Sequence, residues 1–153
     1  MKPSEKLKSL GLELPKVPAP LGIYVPATRV GELIYTSGQL PTSDGKLVAS
    51  GAVGRELTVE QAAAAARRAM LNAVAAAASV CGGIDEIERA VRVCVYVCSA
   101  AGFVEQPKVA NGASELLGEL FGDAGRHVRS AVGVSELPMG APVEVELVVQ
   151  VRG

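Results

Sequence analysis

The sequence predicts an α+β fold in which a mixed β-sheet carries two helices on one face. An alanine-rich segment, residues 62–80, has the composition of a long helix. Residues 89–99 and 143–151 instead alternate apolar and polar side chains with the two-residue period of a half-buried strand. The elements follow one another as strands, long helix, strand, helix and two strands, an order that is typical of a layered α+β domain.

The first twenty residues are predicted to be an N-terminal extension, and residues 21–153 a single domain, which the length of the chain allows. Residues 4–10 have the pattern of a short amphipathic helix. Three prolines in residues 14–20 favour an extended lead-in.

The strands of the first half are predicted from alternation and turn residues. Residues 23–28 and 32–37 are predicted to pair around a turn at Gly31. Residues 41–45 carry the proline, aspartate and glycine of a further turn, and residues 47–54 are predicted to add a short strand.

The helices are predicted from their end signals. Thr58 and Gln61 have the spacing of a capping box, so the long helix should begin there and run to Val80. The second helix is predicted at residues 114–121, with an uncertain beginning because Pro107 precedes it.

The last two strands, residues 128–134 and 143–151, are predicted to be joined by a Pro/Gly turn. Each carries a charge that a plain core hairpin would avoid. If these strands pair, the Arg129 guanidinium and the Glu144 carboxylate face one cavity, which suits binding of a small carboxylic acid followed by proton or water chemistry. An ordinary cross-strand ion pair on a solvated face explains the same two residues.

Several motifs resemble those of the YjgF family, which includes the reactive intermediate deaminases (RidA-like proteins) and is often labelled endoribonuclease L-PSP. The motifs, in chain order, are 22–26 (GIYVP), 35–41 (YTSGQLP), 44–45 (DG), 129–130 (RS), 137–138 (LP) and 143–146 (VEVE). The likeness extends from about residue 19 to residue 152. The N-terminal segment and residues 109–114 are typical of a longer subgroup of the family.

The resemblance implies a bacillus-type, chorismate-mutase-like fold assembled as a homotrimer, with clefts between subunits and no cofactor. It implies a 2-iminobutanoate/2-iminopropanoate deaminase-like hydrolase, which converts enamines or imines such as 2-aminoacrylate to 2-keto acids and ammonia. By motif position, Arg129 would hold the substrate carboxylate and Glu144 would position or activate water. Tyr24 would form a wall of the cleft, and Ser37 and Gly38 would contact the ligand.

The chain also departs from the better-known deaminases. The asparagine of their second helix corresponds here to either Asn111 or Ser114, and Ala131 stands where a cysteine is common. Two other functions therefore stay open. One is a non-catalytic regulatory trimer that binds small carboxylates, and the other is a ribonuclease or translation inhibitor.

Composition restricts the partners. A net charge of −1 and a pI of about 5.9 argue against a dominant electrostatic role on nucleic acid or an anionic membrane. No apolar run approaches the roughly 18 residues of a membrane span, and the N-terminus lacks a secretory signal, so we expect a cytoplasmic protein.

The cysteines and the single histidine do not predict a metal site. Three cysteines, an odd number, fit a reducing compartment. Cys94 and Cys98 are four residues apart on a predicted strand, so they lie about 13 Å from each other, too far to share one zinc ion. His127 is interpreted as a surface or packing residue.

Overall fold

The computed structural model describes residues 1–153 as a five-stranded sheet, a two-stranded hairpin and three α-helices. The helices are α1 (Pro3–Ser9), α2 (Val59–Ala78) and α3 (Gln106–Phe121). The strands are β1 (Ala27–Val30), β2 (Leu33–Thr36), β3 (Thr42–Ser43), β4 (Lys46–Leu47), β5 (Ile87–Cys98), β6 (Val128–Val134) and β7 (Val143–Val151). None of the helices combines the length and apolar character of a membrane span.

The large sheet has the strand order β1-β2-β7-β5-β6. Strands β5 and β6 are parallel, whereas the pairs β1–β2, β2–β7 and β5–β7 are antiparallel. Strands β3 and β4 form a separate hairpin. The predicted α+β class with a mixed sheet is confirmed.

Helices α2 and α3 pack side by side on one face of the sheet and bury the core beneath them. The predicted capping box is present at the beginning of α2. The backbone N–H of Gln61 donates to the Thr58 hydroxyl at 3.2 Å, and the backbone N–H of Thr58 donates to the side-chain oxygen of Gln61 at 2.9 Å. The two helices approach closely at Gly112, where an added Cβ would lie 2.0 Å from the carbonyl oxygen of Ala63.

Helix α3 begins eight residues before its predicted start, at Gln106. Pro107 does not interrupt it, because a proline in the first helical turn needs no backbone hydrogen bond. Asn111 and Gly112 therefore lie inside the helix.

Two strand predictions in the first half were wrong in extent. Strand β1 begins at Ala27, so residues 23–26 are not in the sheet. In place of a strand at 47–54, the chain forms the short β4 and then an isolated bridge at Val53. In β5, irregular register near Ala90 places that residue in the core instead of Val91.

The predicted pairing of the last two strands was also wrong. Strand β5 lies between β6 and β7, so the two closing strands do not form a hairpin. The connection from 135 to 142 crosses the end of β5 and contains a 3₁₀ turn at Pro138–Gly140. It is too long for the tight turn that would set the two strands side by side.

The N-terminal segment is attached to the rest of the molecule. Leu7 of α1 is buried in the core cluster. Ser4 donates to the Asp85 carboxylate from its backbone N–H at 2.8 Å and from its hydroxyl at 2.7 Å, and these bonds lower the pKa of Asp85. Leu12, Leu14 and Val17 then pack against the core.

Candidate functional site

A cleft of about 1270 Å³ opens at the end of the sheet where β7 begins. It is lined by residues 11–21, by most of residues 38–45, by the turn before β7 and by one side of α2. Glu144, Tyr24 and Gly38, which the family motifs indicate, all line this cleft.

Glu144 is the carboxylate best placed for chemistry in the cleft. It lies near the beginning of β7, half-buried, with its side chain against the backbone of Gly38. A Cβ at Gly38 would lie 2.7 Å from Glu144 Cδ, so only glycine leaves room for the carboxylate there. Burial, and then the charge of nearby Glu146, raise the pKa of Glu144.

Glu146 is two residues further along β7 on the same face. It accepts a short hydrogen bond from the Tyr96 hydroxyl, and this bond raises the pKa of Tyr96. Glu144 has no such donor in the chain. The two carboxylates therefore differ in environment, because Glu146 is hydrogen-bonded and Glu144 is left free for a water or a ligand.

The Tyr24 and Ser37 hydroxyls make hydrogen bonds to the backbone near the entrance of the cleft. The Tyr24 side chain is 49% exposed, and its hydroxyl accepts the Leu21 N–H at 3.1 Å. The Ser37 hydroxyl donates to the Val25 carbonyl at 2.6 Å. Ser37 is not among the lining residues, and in this arrangement its hydroxyl connects two stretches of backbone.

Arg129 of β6 lies in a second cluster, where its side chain contacts α3. Its Nη1 donates to Asn111 Oδ1 at 2.9 Å and to Ser114 Oγ at 3.1 Å, and its Nη2 donates to the Pro107 carbonyl at 3.3 Å. Asn111 and Ser114, which the sequence left as alternatives, thus both contact the arginine. Ser114 Oγ also lies 2.9 Å from His127 Nε2.

The His127 ring completes this cluster. Its Nδ1 lies 2.7 Å from the Gly125 carbonyl, which can only accept, so Nδ1 carries the proton of the neutral ring. Nε2 then accepts from the Ser114 hydroxyl. His127 is therefore a packing residue that orients a contact of Arg129, in agreement with the interpretation from sequence.

Within one protomer, Arg129 and Glu144 do not face one cavity, contrary to the prediction from strand pairing. Arg129 is aligned with Val93 of β5, which is buried under the helices, whereas Glu144 is aligned with Tyr96. Val93 and Tyr96 are three residues apart in a regular stretch of strand, so they point to opposite faces. Strand β5 also separates the two strands that carry the charges.

Two cations line the cleft, Lys16 of the N-terminal segment and Arg68 of α2. Arg68 is the partly buried one. Its Nε donates to the Thr42 carbonyl at 2.8 Å, and it forms no ion pair. One helical turn later, Asn72 is fully buried and donates to the carbonyls of Leu40 and Thr42 at 2.9 and 3.0 Å. Its Oδ1 has no hydrogen-bond partner.

The arrangement of ligand-type side chains does not form a metal centre. No three His, Cys, Asp or Glu side chains lie together as a metal would require. The three cysteines are free thiols, and burial raises the pKa values of Cys81 and Cys98.

Comparison with known proteins supplies the family. A family model described as "YjgF/chorismate mutase-like, putative endoribonuclease" matches residues 4–150. The chain belongs to the YjgF family. It is 42% identical to protein TCP17 of Trypanosoma cruzi over 147 residues, which cover 95% of this chain and 92% of that protein. It is 30% identical to the RutC family protein y4sK of Sinorhizobium fredii over 132 residues, which cover 86% and 90%.

The fold agrees with that of a solved structure. A crystal structure of a "putative endoribonuclease" from Shewanella oneidensis superposes with a TM-score of 0.95 and 38% identity, covering 99% of this chain and all of that one. The chorismate-mutase-like fold expected from the motifs is thereby confirmed. The family match begins at residue 4, so it includes most of the N-terminal segment.

The sequence of this YjgF-family protein does not single out Arg68 and Asn72 as cleft residues. In the predicted long helix, an arginine such as Arg68 is expected on the solvated face, and Asn72 interrupts an apolar stretch. A signal was present nevertheless, because the two are four residues apart and must share a side of α2. An asparagine within a fully buried helical stretch needs polar partners, which points to a loop packed on that side.

Proposed function

We propose that this protein hydrolyses reactive enamines and imines of the 2-aminoacrylate type to 2-keto acids and ammonia. The observation that carries the proposal is Glu144, a half-buried carboxylate with a raised pKa in a cleft, without a hydrogen-bond donor of its own. A partly desolvated carboxyl group of this kind in a cleft is a candidate general acid and base. Membership of the YjgF family supports the same chemistry.

The reaction needs little apparatus. A proton first moves from the nitrogen of the enamine to its terminal carbon, which gives the imine. Water then adds to the imine carbon, and Glu144 carries the proton that water loses to the imine nitrogen, so a neutral tetrahedral carbinolamine forms. In the last step Glu144 takes the hydroxyl proton of the carbinolamine and gives it to the leaving nitrogen. The C=O bond forms as the C–N bond breaks, ammonia and the 2-keto acid leave, and Glu144 ends unchanged. A carboxylate in this role contributes about 10²–10⁴-fold in rate.

The substrate carboxylate is assigned to Arg129 of a neighbouring subunit in a homotrimer. Because Arg129 and Glu144 are on opposite faces of one sheet, a complete site needs two protomers. Apolar side chains exposed on the helix-free face of the sheet favour such assembly; they are Val30, Tyr35, Val128 and Val132. Contacts to α3 already orient the Arg129 guanidinium, which lowers the entropic cost of gripping an anion.

The proposed activity is tested on imines that an amino-acid oxidase generates in situ in the assay mixture. We expect the purified protein to accelerate release of keto acid and ammonia, and Arg129→Ala to lower kcat/KM by about 10²-fold or more, because a charge-assisted bidentate contact is lost. Arg67→Ala is the matched control. Arg67 is not a lining residue of the cleft, and its guanidinium forms an ion pair with Glu119 at 2.7 Å. No acceleration with imines from several amino acids would refute the proposal.

Subunit mixing tests the intersubunit arrangement. Arg129→Ala and Glu144→Gln are each expected to be inactive alone. Co-expressed, they should regain about a quarter of wild-type activity, because random mixing in a closed ring gives that share of sites an intact Arg129 and an intact Glu144 from different chains. If both residues of a site came from one chain, mixing would restore nothing.

Gly38→Ala tests whether the close contact with the Gly38 backbone positions the Glu144 carboxylate. The new Cβ would displace the Glu144 carboxylate, which lies at 2.7–2.9 Å from it, but a flexible side chain can move aside without unfolding the protein. We therefore expect kcat to fall by up to about 10²-fold, the cost of misplacing a reacting group by about 1 Å. Tm should change little. An unchanged kcat would mean that the close contact does not position Glu144.

A further inference from the structure

Arg68 has unused binding capacity inside the cleft. Its Nε is committed to the Thr42 carbonyl at 2.8 Å, which fixes the plane of the guanidinium. Its Nη1 and Nη2 atoms make no hydrogen bond and no ion pair with the chain. A partly buried guanidinium with its end-on edge free is a receptor for a carboxylate, which two parallel N–H groups can hold.

The other charged groups of the cleft leave this receptor open. Glu13 and Asp44 line the cleft but are exposed, and neither pairs with Arg68, so solvent screens their effect. Lys16, also a lining residue, adds a second positive charge. Next to Arg68, the buried Oδ1 of Asn72 lacks a donor, so this end of the cleft contains an unused acceptor as well as unused donors.

The cleft is larger than the simplest substrate requires. Its volume of about 1270 Å³ exceeds the ~300–1,000 Å³ that encloses drug-sized ligands, whereas a three-carbon imino acid is far smaller. Glu144 contacts Gly38, and Arg68 contacts Thr42. Both contact points lie on the loop 38–45, which lines this one cleft, so Glu144 and Arg68 stand at two ends of the same lining loop.

We infer that the cleft selects substrates with a second, distal carboxylate, which Arg68 binds, so that imines derived from acidic amino acids are preferred over those derived from alanine or serine. This inference rests on the proposed deaminase function and names its substrate class. Arg129 of the neighbouring subunit holds the carboxylate beside the reacting carbon. Arg68 holds the one at the far end of the side chain.

The kinetic test compares 2-iminoglutarate, made by a glutamate oxidase, with 2-iminopropanoate, made from alanine. Arg68→Gln should lower kcat/KM for 2-iminoglutarate by about 10- to 100-fold, the range expected for a lost charge-assisted contact, and change kcat/KM for 2-iminopropanoate less than about 2-fold. Arg68→Lys should recover part of the loss. Arg67→Gln, the adjacent arginine outside the cleft, should alter neither substrate.

Equal losses for both substrates in Arg68→Gln would overturn the inference, since they would show that Arg68 only supports the loop at Thr42. A binding measurement separates this inference from the proposed activity. By calorimetry, 2-ketoglutarate should bind at least about 10-fold more tightly than pyruvate, and Arg68→Gln should remove the difference. If no imine is hydrolysed yet this difference is present, the deaminase proposal fails and the dicarboxylate site stands. If the two keto acids bind alike, the inference fails whatever the activity.

Discussion

Gly112→Ala is expected to lower the free energy of unfolding by about 3 kcal/mol, at the upper end of the cost of overpacking a core. The new Cβ would lie 2.0 Å from the Ala63 carbonyl oxygen and 2.7 Å from its carbon, and these are backbone atoms of α2 that no rotamer change can move. The helices would have to separate, opening the layer of small residues on which the core depends. For a domain of this size Tm should fall by roughly 6–12 °C.

Gly118→Ala on the same helix is the matched control. Gly118 is exposed, and an added Cβ there would meet no atom within 4 Å. The change should raise stability by up to about 1 kcal/mol, because alanine is the better helix former. Denaturation by urea followed by circular dichroism measures both variants. Equal stabilities would show that the helices are not in contact at Gly112.

The Gly112 contact also matters for the site. Asn111 and Ser114, on either side of Gly112 in α3, both accept hydrogen bonds from Arg129. The crossing of the helices therefore decides where the partners of Arg129 lie. The sequence gives no hint of this, because a glycine before the predicted start of α3 is read as a helix breaker, and its packing role depends on a helix that is distant in the chain.

Short sequence patterns correctly predicted the elements that are determined by their own residues. The capping box at Thr58 and the alternation of β5 and β7 identify elements whose own residues favour them. Strand neighbours are different, because they depend on contacts between distant segments. The connection 135–142 gave no indication that β5 would separate β6 from β7, so Arg129 and Glu144 were placed together.

The family motifs, unlike the local signals, predicted residues that are distant in the chain but share the cleft. They identified Glu144, Tyr24 and Gly38 as a group, and the structure brings these three to one cleft. They could not reveal Arg68, because its contribution depends on the loop at Thr42 that fixes its guanidinium and leaves one edge free. The folded chain alone shows which residues surround the Arg68 guanidinium and which of its N–H groups are already hydrogen-bonded.

Glu144→Gln is expected to lower kcat by about 10²–10⁴-fold, the contribution of a general acid or base, because the amide can hold a water but cannot take its proton. In the wild type, activity should fall as the pH decreases through the pKa of Glu144. Since burial and Glu146 raise that pKa, the acidic limb of the kcat profile should lie above the value of an ordinary glutamate, about 4.3. A limb at or below that value would contradict the assignment.

The same substitution should stabilise the protein near neutral pH. A raised pKa means that ionised Glu144 costs more in the folded than in the unfolded chain, so its stabilising contribution is complete below the unfolded pKa and is lost as the pH rises through the folded pKa. Glutamine removes that loss. Urea denaturation at neutral pH should find the variant more stable than wild type, with the difference disappearing in acid. Loss of activity together with a gain in stability separates a working carboxylate from a structural one, because a structural carboxylate would lower both when replaced.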